Sequence, residues 1–448
     1  MLLIRRLTSN RVISASMLIA FFFGIDKIVA LVRQQIVGRY FGLNATLDAY
    51  NVANNLPDLL FGLISGSALG IAFIPILTEA LDKEGRSGAW KLFSQVVNLA
   101  FVVTALFSIV IALFPMFFIQ RVITPGFPPE QQLLVANLMR LNLIATLIFS
   151  ISGLVMGGLQ ANQHFLLPAL APTFYNIGQI VGVMVFGKAL GIYGLACGVI
   201  LGAVLHLGIQ IPGLIRYEFK WTPRIDFNDP GVRKMLRLMA PRVLTLFFIY
   251  LTLSIARDNI ASRLIQSGQA VPGIISALDY GWYLLQLPET IIGTAIATAL
   301  LPTISELVTR GEHLELQRLL RRALGILVLI TLPVALVSYL LLPLAVKLVF
   351  EGRAFTAENS ALVILAGQMF MLGLLGHSLK EITARAFYAH QDAYTPMFLA
   401  ILTLVLFVSL SLALAPLLGF ASLALANSLA FTIEALLMLF ILYRRKIL

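Results

Sequence analysis

The sequence predicts an all-α polytopic membrane protein, with about twelve transmembrane helices in two parallel six-helix repeats around a central cavity. Three observations carry that reading. The 448 residues are 59% hydrophobic and 12% charged, with a mean hydropathy of +0.93, whereas soluble domains carry roughly 25% charged residues. Apolar runs of about the 20 residues that a bilayer needs recur along the chain. Segments of the first half also reappear in the second at nearly one spacing. The long unbroken runs exclude a β-barrel. The single cysteine, Cys197, excludes an internal disulfide and reads as packing.

In chain order, Met1 to Arg11 is a short basic leader with Arg5, Arg6 and Arg11. The run after it is too long and too charged for a signal peptide. From Phe21 to Pro57 the chain places Asp26, Lys27 and Arg33 inside an apolar helix, breaks at Gly42, and restarts with Asp48. An ionisable group in hydrocarbon costs several kcal/mol unless it faces a partner or a wet cavity. Lys27 and Arg33 fall within roughly 120° of each other on a helix, and Asp26 shares the face of Arg33. A charged, water-filled cavity is therefore predicted. The alternative is a buried Asp26–Lys27 pair that only fixes helix packing. Further runs centre on Ile64, Ala105, Leu147, Ile180, Leu201, Phe247, Ile292, Ile330, Met371, Val405 and Leu429. Pro57, Pro75, Pro241, Pro288 and Pro302 lie near or within spans and favour kinks.

Alternate loops are rich in bases: Lys83, Arg86 and Lys91; the stretch from Arg216 to Arg237; Arg310 to Arg322; and the tail Arg444, Arg445 and Lys446. The positive-inside bias puts these loops and both termini in the cytoplasm. It also accounts for the net charge of +11 without nucleic acid. The Arg216–Arg237 loop is the longest polar stretch and divides an N-terminal lobe, 1–222, from a C-terminal lobe, 223–448. The repeat agrees. Ala72-Phe-Ile-Pro75 returns as Ala299-Leu-Leu-Pro302, and 302 − 75 = 227. Ala161-Asn-Gln163 with Pro168 returns as Ala389-His-Gln391 with Pro396, and 396 − 168 = 228. Gly191 and the residues after it return from Gly419, and 419 − 191 = 228. Six spans per half give the copies one orientation, the parallel-repeat plan of transporters with substrate between the halves. Arg33 and Asp48 find looser counterparts in Arg257 and Asp279.

Several segments resemble the MurJ/MviN family of lipid II flippases, within the multidrug/oligosaccharidyl-lipid/polysaccharide exporter superfamily. They are Asp48-Ala-Tyr-Asn-Val-Ala53 with Leu56-Pro57, Ala72-Phe-Ile-Pro75, Thr124-Pro-Gly-Phe127, Pro168 to Thr173 with Asn176, Pro223 to Phe227, Phe387-Tyr-Ala389 with Asp392, and Thr395-Pro396. The resemblance covers nearly the whole chain. It implies two lobes around a cationic cavity that works by alternating access. The implied substrate is a polyprenyl-pyrophosphate-linked saccharide, above all the peptidoglycan precursor lipid II, moved from inner to outer leaflet of the bacterial inner membrane. The chain departs from the family where basic or acidic cavity residues are expected: Lys27, Gln34, Asn55, Phe61, Trp282, Tyr283 and Gln286 stand there. It also ends after the twelfth predicted span, whereas family members usually carry two more.

The expected substrate contacts are Arg33 as chief anion ligand with Lys27 nearby, Arg257 facing Arg33 from the second lobe, and the acids Asp26, Asp48 and Asp279. The competing expectation for Arg257 is a place in the outer headgroup region. Asp258 is expected to need its own partner. Lys380 and Glu381 read as an adjacent pair at the membrane interface, and His206, His377 and Glu434 as isolated groups that are satisfied in packing or snorkel. Asp58 and Glu289 read as helix caps after Pro57 and Pro288. No metal-ligand spacing and no phosphate loop occurs, so no cofactor is expected; coupling to an ion gradient or membrane potential remains open. Membrane lipids are expected partners, nucleic acid is not, and the chain is expected to act as a monomer. Two alternatives stay open: a flippase for another lipid-linked oligosaccharide, or a small-molecule antiporter of the same superfamily. A membrane enzyme would need an acid/base constellation in a large outer loop, and the outer loops are short and poor in acids.

Overall fold

The computed structural model describes residues 10–64 and 67–448; the side chains of residues 10–21, 23, 64, 67–72, 241, 242 and 302 lie outside the described set. The basic leader with Arg5, Arg6 and Arg11 and the side chains of Pro241 and Pro302 therefore lie outside it too. The helices are α1 (Asn10–Phe41), α2 (Ala45–Ala53), α3 (Asn55–Ile64), α4 (Ser67–Leu113), α5 (Pro129–Ala161), α6 (Leu166–Val181), α7 (Ile192–Gly208), α8 (Pro230–Tyr250), α9 (Arg257–Gln266), α10 (Ile274–Glu289), α11 (Ala295–Arg310), α12 (His313–Phe350), α13 (Ala357–Met371), α14 (Leu374–Ala389), α15 (Tyr394–Leu418) and α16 (Ala421–Arg444). Widened π turns join α8 to α9 over Leu251–Ala256 and α10 to α11 over Thr290–Thr294. α4 holds a break at Gly85, whose φ of 69° and ψ of −173° no helix accommodates. Among the described residues nine helical stretches are long and apolar enough to cross a bilayer, or ten if α13 and α14, bent by 47°, form one span. The first predicted run and the one centred on Ile64 reach residues outside the described set.

The chain forms two compact units. Unit 1 holds the residues up to Tyr40, Ala53–Phe118 and Leu133–Val243; unit 2 holds Phe41–Val52, Ile119–Gln132 and Leu244–Leu448. Unit 2 thus takes in two segments that precede the predicted lobe boundary.

In unit 1, Trp90, Phe93 and Phe219 stack edge to face with centroids 5.2 to 5.4 Å apart. The polar stretch after Arg216 lies on α4: Trp90 Nε1 donates to the Tyr217 carbonyl at 2.9 Å, and Asn98 Nδ2 to that of Thr222 at 2.7 Å. These bonds satisfy backbone that would otherwise need water. α6 and α7 approach more closely than side chains allow. A Cβ on Gly178 would sit 2.3 Å from Gly202 Cα, and one on Gly182 2.3 Å from Gly198 Cα. Lipid offers apolar side chains no hydrophobic drive to associate, so close backbone packing supplies the attraction instead.

In unit 2, α12 turns Leu329, Leu336, Leu340, Leu344 and Leu348 outward, each 57–74% exposed. The opposite side, with Leu316, Leu320 and Leu327, joins Ile382, Phe387 and Met438 in the core. An exposed leucine face at helical spacing is a lipid-facing surface.

The predicted repeat is visible in the backbone. Non-glycine residues with positive φ are rare, yet Gln163 and Gln391 both have φ 59°, and 391 − 163 = 228. Glu218 at 56° matches Lys446 at 57°, and Gly191 matches Gly419 at 55°, each again 228 apart. The closing bonds repeat as well: His164 N–H to Leu159 O at 2.9 Å and Asp392 N–H to Phe387 O at 3.0 Å. The same turn chemistry ends the same helix in each half.

Candidate functional site

The six predicted site residues fall into two groups. Asp26, Lys27 and Arg33 belong to α1 in unit 1. Arg33 is half-buried and poorly satisfied. Its NH1 reaches Gln179 Oε1 at 3.5 Å, its NH2 reaches Gln34 Oε1 at 3.4 Å, and its Nε is buried without a hydrogen-bond partner. Both bonds are at the long limit for N–H···O. Gln179 Nε2 is likewise buried and unpartnered. Asp26 accepts from Asn176 Nδ2 at 2.9 Å. Lys27 is half-buried on the same helix. α6 thus supplies the neutral amides that face the charges of α1. A guanidinium with open donors in an apolar helix is chemically a site for an anion.

Asp48, Arg257 and Asp279 gather in unit 2. Asp48 is fully buried on α2. Its Oδ2 accepts from Gly273 N–H at 2.6 Å, and its Oδ1 from Ser276 N–H at 2.8 Å and Ser276 Oγ at 2.7 Å. Asn51 Nδ2 adds a bond to Ser276 Oγ at 3.1 Å. Gly273, with φ 103°, precedes α10, so Asp48 caps that helix from another element. A carboxylate there satisfies orphan N–H groups and meets the positive end of the helix dipole. Arg257 stands at the π turn before α9. Its Nε donates to Asp258 Oδ1 at 2.8 Å and its NH1 to Asp279 Oδ1 at 2.7 Å, with Arg257 9% and Asp258 0% exposed. Asp258, expected to need a partner, accepts from the guanidinium one residue before it. Arg257 is engaged by two carboxylates, which leaves it far less available to an anion than Arg33.

One expected relation does not form. Lys380 does not pair with its neighbour Glu381; its Nζ meets Glu434 Oε2 at 2.8 Å and lies 4.2 Å from the Phe431 ring centroid. Glu381 instead pairs with Arg385, one helical turn on. Adjacent residues on a helix point about 100° apart, whereas residues four apart share a face. Of the positions without a family charge, Phe61 packs on Phe149 with centroids 5.2 Å apart. Sequence reasoning missed Gln179 and Arg385, although an arginine four residues after Glu381 was signal enough for that pair.

The family model described as "Lipid II flippase MurJ" matches residues 37–448. The chain belongs to the MurJ family. Its sequence is 30% identical to the lipid II flippase MurJ of Burkholderia cenocepacia over 436 residues, covering 94% of this chain and 82% of that one. It is 25% identical to the probable lipid II flippase MurJ of Borreliella burgdorferi, covering 98% and 85%. A solved lipid II flippase MurJ in an inward closed conformation superposes with a TM-score of 0.81 at 22% identity, covering 96% and 89%. An inward-facing multidrug resistance transporter of the MATE family gives 0.80 at 14%, covering 94% of each chain, which shows the shared fold. A MurJ flippase moves a substrate without changing its bonds, so this chain is a transporter and not an enzyme.

Proposed function

We propose that this MurJ-family chain carries lipid II, a polyprenyl-diphosphate-linked saccharide, from the inner to the outer leaflet of the bacterial inner membrane by alternating access. The observation that carries the reading is Arg33, a half-buried guanidinium with open donors in the apolar helix α1. A diphosphate brings several negative charges and the oxygen geometry that a guanidinium fork fits. Lys27 adds charge from the same helix, and Gln179 and Asn176 add neutral bonds. The basic loops support cytoplasmic termini. The chain works as a monomer among membrane lipids, without nucleic acid and without a bound cofactor. An ion gradient or the membrane potential supplies the drive.

The segment Phe41–Val52 precedes the predicted lobe boundary, yet Asp48 holds it in unit 2 through the cap on α10. Asp279 holds Arg257 one turn further along α10.

Purified protein in proteoliposomes with fluorescent lipid II tests the reading through the appearance of label in the opposite leaflet. Wild type should translocate it, and Arg33→Ala should lose at least tenfold in rate while keeping its expression and melting temperature. Normal translocation by Arg33→Ala removes the proposed anion contact. Wild type that expels a small cationic drug but leaves lipid II in place makes the chain an antiporter.

A further inference from the structure

In unit 2 Arg257 is engaged by two carboxylates and Tyr283 brings no charge, so another cation of that unit is the candidate contact for the diphosphate. Arg385 fits that role. It stands on α14, one turn before the helix ends at Ala389. Its NH1 pairs with the Glu381 carboxylate and donates to the Glu381 carbonyl at 2.8 Å, and its NH2 donates to Thr298 Oγ1 on α11 at 3.1 Å. The side chains of Arg385 and Glu381 are 18% and 35% exposed.

The surroundings are rich in polar side chains. Tyr283, Gln286, Thr290, Thr294 and Thr298 recur every three or four residues from α10 into α11, and all are partly or fully exposed. Glu381, Arg385 and Tyr388 do the same on α14. The lipid-facing side of α12 in the same unit is leucine. Polar groups in spanning helices face water or a partner. Depth follows from the helix rise: Thr298 lies ~36 Å along the helix axis from Ile274 at 1.5 Å per residue, past a hydrocarbon core of ~30 Å. The site therefore lies at headgroup depth, at the end where Arg310 and the loop 390–393 stand. The loop charges assign that end to the cytoplasm.

We propose that Arg385 contacts the diphosphate of the lipid-linked saccharide where it enters, and that Glu381 is a built-in placeholder which the diphosphate displaces. This rests on the flippase reading. An inner-leaflet substrate carries its diphosphate at headgroup depth. Thr298 orients the guanidinium, so the fork survives the exchange of a carboxylate for a phosphate. A partly exposed pair at i,i+4 is weak, and Glu381 can turn to water when it leaves. The diphosphate bears more charge than the carboxylate and wins the exchange, which makes entry selective for substrates that carry it.

The placeholder gives the two variants opposite signs. Lipid II is titrated into the purified full chain in detergent, followed by tryptophan fluorescence, with undecaprenol as the probe that lacks the diphosphate. Arg385→Gln should weaken lipid II binding about tenfold, or about 1.4 kcal/mol, and Arg385→Lys should recover part of the loss. Glu381→Gln should tighten binding several-fold, because the competitor is gone. Undecaprenol binding should stay level throughout. Wild-type affinity in Arg385→Gln overturns the proposal, as does Glu381→Gln weakening as much as Arg385→Gln, the mark of a structural staple. If Arg385→Gln does not fold, the sign of the Glu381→Gln shift decides. Wild type that binds lipid II no better than undecaprenol removes the flippase reading as well.

Discussion

Ser152 with His206 in unit 1, and Lys380 with Glu434 in unit 2, stand at the same place in the repeat, since 380 − 152 = 228 and 434 − 206 = 228. In unit 1 the cross-link is neutral. Ser152 Oγ lies 2.6 Å from His206 Nδ1, and Gln210 Nε2 donates to Ser152 Oγ at 3.0 Å. In unit 2 it is an ion pair. Glu434, 1% exposed, accepts from Lys380 Nζ and Thr403 Oγ1, both at 2.8 Å, and its second oxygen has no partner. Both links tie the fourth span of a half to its sixth. The duplication keeps the position of a buried polar cross-link and lets its chemistry change. What it cannot keep equal is the penalty for breaking the link, because an abandoned charge in a dry interior costs more than an abandoned hydroxyl.

The largest effect that sharpens this comparison is Glu434→Ala. It strands the Lys380 ammonium and should destabilise the protein by about 3–5 kcal/mol, read as a fall in melting temperature in detergent. The double variant Lys380→Met/Glu434→Leu should recover most of that loss, since well-packed apolar groups replace a buried pair at little penalty. A smaller effect is expected at the matching place: Ser152→Ala should cost about 1–2 kcal/mol, one hydrogen bond and a small void. Equal losses in the two halves would break the comparison.

The smallest effect lies at the corners that follow the fourth span of each half, where His164 and Asp392 correspond, since 392 − 164 = 228. Burial, helped by the charge of Arg216, pushes the His164 pKa below the ordinary 6.5. Its contribution is therefore complete above pH 6.5 and declines as pH falls through the folded value. At Asp392 burial pushes the carboxyl up, but bonds from the Thr395 hydroxyl and N–H and from Arg445 outweigh it and hold the group below 3.8. That contribution is present above 3.8 and is lost as pH falls through the folded value. Melting temperatures across pH should show His164→Asn removing a dependence just below 6.5, and Arg445→Gln altering only the acid limb. A single shared window would show that the corners are not independent.

Much of the fold was legible because membranes enforce simple rules. Apolar length marks spans, and turn chemistry marks the repeat, so Gln163 with Gln391 and Gly191 with Gly419 were readable from the sequence. The charges of α1 were legible as an anomaly in an apolar run. Their partners were not. Gln179 meets Arg33 across 146 residues, and Glu434 meets Lys380 across 54. Periodicity assigns a residue to a face, and only packing decides which helix that face meets. Asp48 was read as a cavity acid for the same reason: nothing local to α2 announces that its partner is the first turn of α10. Arg257 was read as available because its two acids, Asp258 and Asp279, could not be placed on it in advance.

The contact of α6 with α7 has a mechanical consequence. With Gly178 against Gly202 and Gly182 against Gly198, a slip of one residue along either axis would drive a side chain into backbone. The pair has one register and behaves as a laminated beam, stiff in shear and unable to store intermediate positions. A glycine-to-alanine change at Gly178 would force the two backbones apart, since its Cβ would meet Gly202 Cα at 2.3 Å.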